Sequence, residues 1–223
     1  MRLLVINPNT SKGVTARIRE AANAVAGPED QFTTLCPAFG PELIVTKADA
    51  EHASKAVVET VKNYDAPCDG VILASFGNTG AEAVRALRPD IPVIGIATAA
   101  FSIAGALGKP FGIVTFGPSL IPGLTEKAKE AGLGSLLIAT EAVETQDFGD
   151  PGKVQTRYAD ELGTLCEKVQ SRGARCIVMG GGPLAGMASR IAPHCPVPVI
   201  DGTQAAINML RTVAVRRVAK QPV

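Results

Sequence analysis

Four short loops contain side chains that can bind a small polar ligand or move a proton on it. Residues 7–11, 75–80, 115–119 and 180–186 combine hydroxyls, side-chain amides and glycines, and each follows a short apolar run. Such groups bind carboxylate or carbonyl oxygens, and Ser75 is the candidate nucleophile or proton carrier. The predicted ligand-binding residues are Asn7, Asn9, Thr10, Ser11, Phe76, Gly77, Asn78, Thr79, Thr115, Phe116, Ser119, Gly182, Pro183 and Leu184.

Each loop also has a simpler structural interpretation. Thr10 or Ser11 can cap a following helix, Ser75 can be a small residue that ends a strand, and residues 115–119 can form a plain turn. The glycine-rich run 180–186 fits neither the dinucleotide pattern G-x-G-x-x-G nor a P-loop. A small anion or carbonyl compound is therefore a better ligand for these loops than a nucleotide.

The elements that position these loops are strands that alternate with helices, which is typical of an α/β protein with mainly parallel sheets. Short β-branched runs predict strands at residues 3–6, 32–35, 71–74, 93–96, 112–116, 136–139, 177–179 and 197–200. Helical patterns cover residues 48–63, 81–87, 125–131 and 156–170. In parallel sheets ligands bind beyond the carboxyl ends of the strands, where all four loops are predicted to lie.

An internal repeat indicates two similar halves. Residues 91–100 are similar in sequence to residues 197–206. At the same separation along the chain, residues 70–75 align with residues 176–181. A second, shifted similarity links the first strand and its loop with residues 112–119. Because two repeated blocks occur in the same order, chance similarity between parallel strands is a poor explanation for them.

The repeat predicts two pseudo-symmetric lobes, each a mainly parallel sheet flanked by helices, with the ligand in the cleft between them. The first lobe is expected to span residues 1–100 and the second residues 101–223, with the crossing near residues 101–110. The extreme C-terminus is expected to pack back on the first lobe.

Composition excludes several classes of function. A net charge of +1 with interspersed charges and 4% aromatic residues argues against a nucleic-acid partner. No apolar run approaches the length of a membrane span, and the N-terminal residues lack a signal-peptide pattern, so we expect a cytoplasmic protein. Five scattered cysteines and two histidines predict neither a disulfide framework nor a metal site.

Three blocks, in order along the chain, resemble the aspartate/glutamate/hydantoin racemase superfamily, and most of all its hydantoin and allantoin racemase branch. They are Ile-Asn-Pro-Asn-Thr-Ser at residues 6–11, Ser-Phe-Gly-Asn-Thr-Gly at 75–80 and Leu-Ala-Gly-Met-Ala at 184–188. The resemblance covers nearly the whole chain. It implies two pseudo-symmetric lobes, an active site between them, no cofactor and a homo-oligomer.

The resemblance also implies one cysteine at each lobe's strand tip, one removing the α-proton and the other returning a proton to the opposite face. The first position matches Ser75. The second matches Gly181 by the internal offset, or Leu184 if the alignment is anchored on residues 185–187. None of these is a thiol, and a serine hydroxyl does not ionise near neutral pH without a neighbouring base.

These observations favour a cofactor-independent racemase-type isomerase that acts at the α-carbon of a small hydantoin-like ureide or amino acid. Two alternatives remain open: a decarboxylase or lyase of the same superfamily, which needs a proton carrier on one face only, and a non-catalytic small-anion-binding protein.

Overall fold

A computed structural model describes residues 1–145, 147 and 149–218, and within them the chain forms two four-stranded parallel sheets. The first sheet has the order β2-β1-β3-β4, with β1 Arg2–Ile6, β2 Gln31–Leu35, β3 Gly70–Leu73 and β4 Val93–Gly95. The second has the order β6-β5-β7-β8, with β5 Phe111–Thr115, β6 Leu137–Ala142, β7 Ile177–Met179 and β8 Val199–Asp201. The predicted α/β class and the two lobes are confirmed.

Helices follow the strands along the chain. They are α1 Lys12–Asn23, α2 Lys47–Lys62, α3 Ala81–Leu87, α4 Ile96–Leu107, α5 Ile121–Glu130, α6 Val154–Arg157, α7 Ala159–Ser171, α8 Met187–Ile191 and α9 Gly202–Val218. Helix α4 leads from the first sheet to the second, and α9 follows the last strand. Helix α5 begins four residues before its predicted start, because Pro122 is compatible with a first helical turn. No amphipathic pattern marks α4, whose sequence contains no charged residue. Among the described residues, no helix combines the length and apolar character needed to cross a membrane.

The structural repeat follows the sequence repeat. Helices α4 and α9 begin at equivalent positions after β4 and β8, and the two helices pack against each other. A Cβ placed on Gly202 would lie 2.8 Å from the carbonyl oxygen of Ile96, so the two helix starts meet at backbone distance. The predicted lobe boundary at residue 100 falls within α4, and the division into residues 1–100 and 101–223 stays a prediction.

The main apolar core is shared by the two lobes. Val5 and Ile72 from the first sheet belong to the same buried cluster as Ile113 and Val178 from the second, together with residues of α4 and α9. Strands buried on both faces are typical of parallel sheets covered by helices, and they explain the continuous apolar runs in the sequence.

Glycines allow the backbones of the two lobes to approach closely beside the strand tips. A Cβ on Gly182 would lie 2.7 Å from the carbonyl oxygen of Ala74, the residue before Ser75. A Cβ on Gly152 would lie 2.5 Å from the Cα of Gly13 in α1. These contacts place the loop after β7 directly against the end of β3.

Asp201 holds the loop after β7 in place through hydrogen bonds to its backbone and to the start of α9. Its carboxylate accepts hydrogen bonds from the backbone N–H groups of Gly186 at 2.6 Å, Thr203 at 2.8 Å and Gln204 at 3.0 Å. Burial raises the pKa of this carboxyl, and the three N–H donors oppose the rise. The side chain thereby joins the glycine-rich run to the first turn of α9.

The approach of Gly182 to Ala74 predicts a strong response to one added methyl group. We expect Gly182→Ala to lower the free energy of unfolding by about 1–3 kcal/mol, because overpacking at a backbone contact forces the lobes to shift. Urea denaturation measures the change. Gly163→Ala in α7 is the matched control: a Cβ there has nothing within 4 Å, so the control should stabilise the protein by up to about 1 kcal/mol. Equal effects of the two substitutions would contradict the close contact.

The raised pKa of Asp201 predicts a pH dependence with a definite sign. An unfolded aspartate has a pKa of about 3.9, so the native state binds the proton more tightly than the unfolded state. The stabilisation linked to this proton is present below about pH 4 and is lost as pH rises through the native pKa. The unfolding free energy of the wild type relative to Asp201→Asn should therefore decrease as pH rises, in urea titrations over a pH series. A difference that grows with pH would contradict the direction of the shift.

Candidate functional site

A cavity of about 850 Å³ lies where the strand tips of the two lobes meet. The loop after β3 and the loop after β7 both contribute to its lining, as do residues 43–47 and one side of α5. The predicted site residues that line it are Asn9, Ser75, Phe76, Gly77, Thr79, Phe116, Ser119, Gly181, Gly182 and Pro183. The structure thus brings ten of the predicted residues into one cavity between the lobes.

Three residues of the first loop lie outside this lining and organise the loop instead. Buried Asn7 donates from Nδ2 to Asn9 Oδ1 at 2.8 Å and to the Ser11 carbonyl at 3.1 Å. Ser11 is the N-cap of α1 and accepts a hydrogen bond from Val14 N–H at 3.2 Å. The Thr10 N–H donates to the Pro41 carbonyl at 3.0 Å. Direct ligand contacts by Asn7, Thr10 and Ser11 stay a prediction.

Three further predicted residues also lie outside the lining. The buried Thr115 hydroxyl donates to the Gly180 carbonyl at 2.6 Å and so connects the tips of β5 and β7. Leu184 is fully buried in the second lobe's core. Asn78 has a left-handed backbone, φ +52°, and lines a separate cavity of about 440 Å³ beside Thr98 and Phe101.

Ser75 has hydrogen-bond partners but, within the part of the chain that the structure describes, no neighbouring base. Its Oγ donates to Thr79 Oγ1 at 3.1 Å and accepts from the Thr79 N–H at 3.2 Å. Among the described residues that line the cavity, none is a histidine or a cysteine. The ionisable side chains in the lining are Lys47, Glu126, Lys127 and Glu130. Lys127 and Glu130 form an ion pair at 2.5 Å, and neither they nor the other two hydrogen-bond Ser75.

Neither position predicted for the second proton carrier can serve as one. Gly181 has φ +138°, a conformation that disfavours any side chain, and a Cβ there would lie 2.7 Å from Cε1 of Phe116. Leu184 is apolar and points into the core. The buried thiols of the second lobe do not replace them, because neither Cys176 nor Cys166 lines the cavity and burial raises the pKa of Cys176 to about 11 and that of Cys166 to about 12.

Neutral hydrogen-bond donors remain available at both strand tips. Within the part of the chain that the structure describes, the backbone N–H groups of Gly77 and Gly181 have no acceptor. The Nδ2 group of Asn9 likewise has none, because only its Oδ1 is used by the loop. Such donors can hold carbonyl oxygens and stabilise negative charge that develops on them.

The sequence reasoning missed two groups of residues around the cavity. One is a set of apolar lining residues, and its members are Leu43, Ile44, Val45, Leu120, Pro122 and Leu124. Residues 43–45 follow β2, so the strand-end rule that selected the other loops could have found them. The other is Gln155, a buried side chain whose Nε2 donates to the carbonyls of Pro183 at 2.9 Å and Ala185 at 2.6 Å. No sequence signal marks Gln155.

Comparisons with known proteins agree with this architecture. A family model described as Asp/Glu/Hydantoin racemase matches residues 3–210. A hydantoin racemase of Paenarthrobacter aurescens is 31% identical over 222 residues, covering 96% of this chain and 91% of that protein. The structure of an allantoin racemase from Klebsiella pneumoniae superposes with a TM-score of 0.89 at 31% identity, covering 96% of this chain and 88% of that one.

A second allantoin racemase structure, from Pseudomonas fluorescens, has a TM-score of 0.85 at 30% identity and covers 96% of this chain and 91% of that one. Sequence and structure therefore point to the same branch across nearly the entire chain. Together with the two-lobed fold and the cavity at the strand tips, these matches establish that the chain belongs to the Asp/Glu/Hydantoin racemase family.

Proposed function

We propose that this protein is a racemase-type isomerase that moves the α-proton of a small hydantoin-like ureide or amino acid in the cavity between its lobes. The observation that carries the proposal is that the strand-tip loops of both lobes line one cavity, with Ser75 and uncommitted N–H donors in that lining. Removal of an α-proton requires stabilisation of an adjacent enolate-like oxygen, and preorganised donors provide it.

The charges around the cavity favour a neutral ureide over an acidic amino acid. The cationic side chains among the described lining residues are Lys47 and Lys127, and Lys127 is already paired with Glu130. An unpaired arginine would be better suited to bind the side-chain carboxylate of an acidic amino acid. The hydantoin and allantoin racemases that the chain resembles are named for cyclic ureides, which supports the same ligand class.

Ser75 is the proposed proton carrier on the first lobe's face. The N–H and hydroxyl of Thr79 fix the position of its Oγ. This oxygen would accept the α-proton as its own hydroxyl proton passes to Thr79 Oγ1 and the Thr79 hydroxyl proton passes on to solvent, and the reverse transfer would return a proton to the carbanion. No base assists it, so proton transfer should be slow by comparison with a thiolate. The Asn9 amide and the N–H groups of Gly77 and Gly181 would bind the carbonyl oxygens beside that carbon.

The second candidate is a reaction in which the protein delivers a proton to one face of the ligand only, and a specific observation favours it. Neither Gly181 nor Leu184 offers a proton carrier, so the second lobe's face of the ligand has no protic side chain at either predicted position. Decarboxylation or a lyase reaction needs protonation from one side only. A binding protein without turnover needs none.

The cofactor-free reaction, the homo-oligomer and the cytoplasmic location stay proposals. The first two rest on the family resemblance, and dialysis against a chelator and light scattering would test them. Activity that survives chelation and dialysis, in a particle larger than one chain, is the expected result.

The proposed chemistry predicts exchange of the α-proton for deuterium in D₂O. Wild-type protein should exchange the C5 proton of single-enantiomer hydantoins, and Ser75→Ala should lower the rate by about 10²-fold, the usual contribution of a proton carrier. Ser75→Cys should raise it, because a thiol with pKa near 8.5 is partly ionised at neutral pH. Proton NMR measures the rate, and background exchange is measured without protein.

Ser171→Ala is the matched control for this experiment, because the exposed Ser171 hydroxyl bonds only its own helix at the Lys168 carbonyl. Exchange with loss of optical rotation would support racemisation. Exchange with retained rotation would support the one-faced alternative. Binding without exchange would leave a binding protein, and equal rates for wild type and Ser75→Ala would contradict the role of Ser75.

A further inference from the structure

The second lobe places the ring of Phe116 beside Gly181, the residue that the internal repeat matches to Ser75. Phe116 follows β5, lines the cavity and is only 2% exposed. A Cβ on Gly181 would lie 2.7 Å from Cε1 and 3.4 Å from Cδ1 of this ring. The ring therefore fills the space that a side chain on residue 181 would occupy.

Apolar neighbours extend this surface. Leu43 and Leu120 pack against the buried cluster that contains Phe116, and both also line the cavity. Pro122 and Leu124, on the first turns of α5, continue the lining. We call Leu43, Phe116, Leu120, Pro122 and Leu124 the apolar wall. Leu43 belongs to the first lobe, so the wall is itself a contact between the lobes.

The polar side chains at the strand tips lie mainly in the first lobe. Ser75, Thr79 and Asn9 line the cavity there. The charged groups of α5 come later in the helix than the wall, and two of them, Lys127 and Glu130, neutralise each other. A bound ligand can therefore satisfy its carbonyl and N–H groups at the loops while a substituent contacts the wall.

We propose that Phe116 is a specificity-determining residue, which selects ligands that carry an uncharged apolar group on the α-carbon and rejects those that carry a carboxylate there. The inference rests on the proposed function, because it assumes a ureide whose ring binds the strand-tip loops. An apolar substituent gains by leaving water for contact with the ring and its apolar neighbours, whereas a carboxylate placed there loses its hydration.

The experiment compares three ligands of graded chemistry by calorimetry: unsubstituted hydantoin, 5-benzylhydantoin and 5-carboxymethylhydantoin. Wild-type protein should bind the benzyl compound at least about tenfold more tightly than the carboxymethyl compound, as expected for burial of several apolar carbons. In Phe116→Ala this preference should fall by about tenfold, with affinity for unsubstituted hydantoin changed by less than about threefold.

Two variants keep the comparison interpretable. Phe116→Leu preserves apolar volume if the alanine variant does not fold, and it should weaken benzyl binding while keeping the discrimination against the carboxylate. Phe39→Ala is the matched control, because Phe39 is 38% exposed, pairs with the His52 ring and does not line the cavity. Cooperative unfolding checks that each variant is folded.

The outcomes separate this inference from the proposed function. Selective binding that depends on Phe116 but gives no α-proton exchange supports the inference and contradicts the isomerase. Exchange with equal affinity for the benzyl and carboxymethyl compounds, or a preference unchanged in both Phe116 variants, overturns the inference and leaves the isomerase intact. Absence of binding by all three ligands contradicts both.

Discussion

The backbone contact between Gly182 and the Ala74 carbonyl is the constraint on which the site depends. A side chain at residue 182 would push the loop after β7 away from the tip of β3, and these two segments both line the cavity. The loop is held in this position from behind. Gln155 binds two of its carbonyls, and Asp201 binds its last N–H at Gly186. Glycine supplies the close approach, and buried polar side chains supply the rigidity.

The same arrangement explains why the scaffold differs chemically from a two-thiol racemase. Gly181 has a backbone conformation that suits glycine, and the Phe116 ring occupies the adjoining space. A proton carrier there would require both a new backbone conformation and a smaller residue at 116. On the opposite lobe Ser75 keeps a reactive atom in position through Thr79 but has no neighbouring base. The proposed isomerase therefore has an identified proton carrier, Ser75, on one face of the ligand only.

Local patterns and the internal repeat were sufficient to predict the strands, the parallel sheets and the two lobes. The runs that form β3, β5 and β7 are buried on both faces, so their apolar character is continuous and easily recognised. Helix α4 was not predicted, because it is apolar on nearly every side and lacks the amphipathic period that marks a surface helix. The strand-end rule located the loops at the cavity, but it could not separate ligand-facing from structural residues. Asn7 and Thr115 are polar and close to the site, yet their hydrogen bonds are made within the protein. Gln155 depends on contacts between distant segments, which a single sequence does not encode locally.

We propose that loops from both lobes hold one ligand together. The most direct measurement is a crystal structure of Ser75→Ala bound to a 5-substituted hydantoin. We expect a hydantoin ring that contacts both residues 75–79 and residues 180–183, with a carbonyl oxygen at about 2.7–3.2 Å from the backbone nitrogen of Gly77 or Gly181. A ligand held by one lobe alone, or seated beside Thr98 and Ser102 in the smaller cavity, would contradict it.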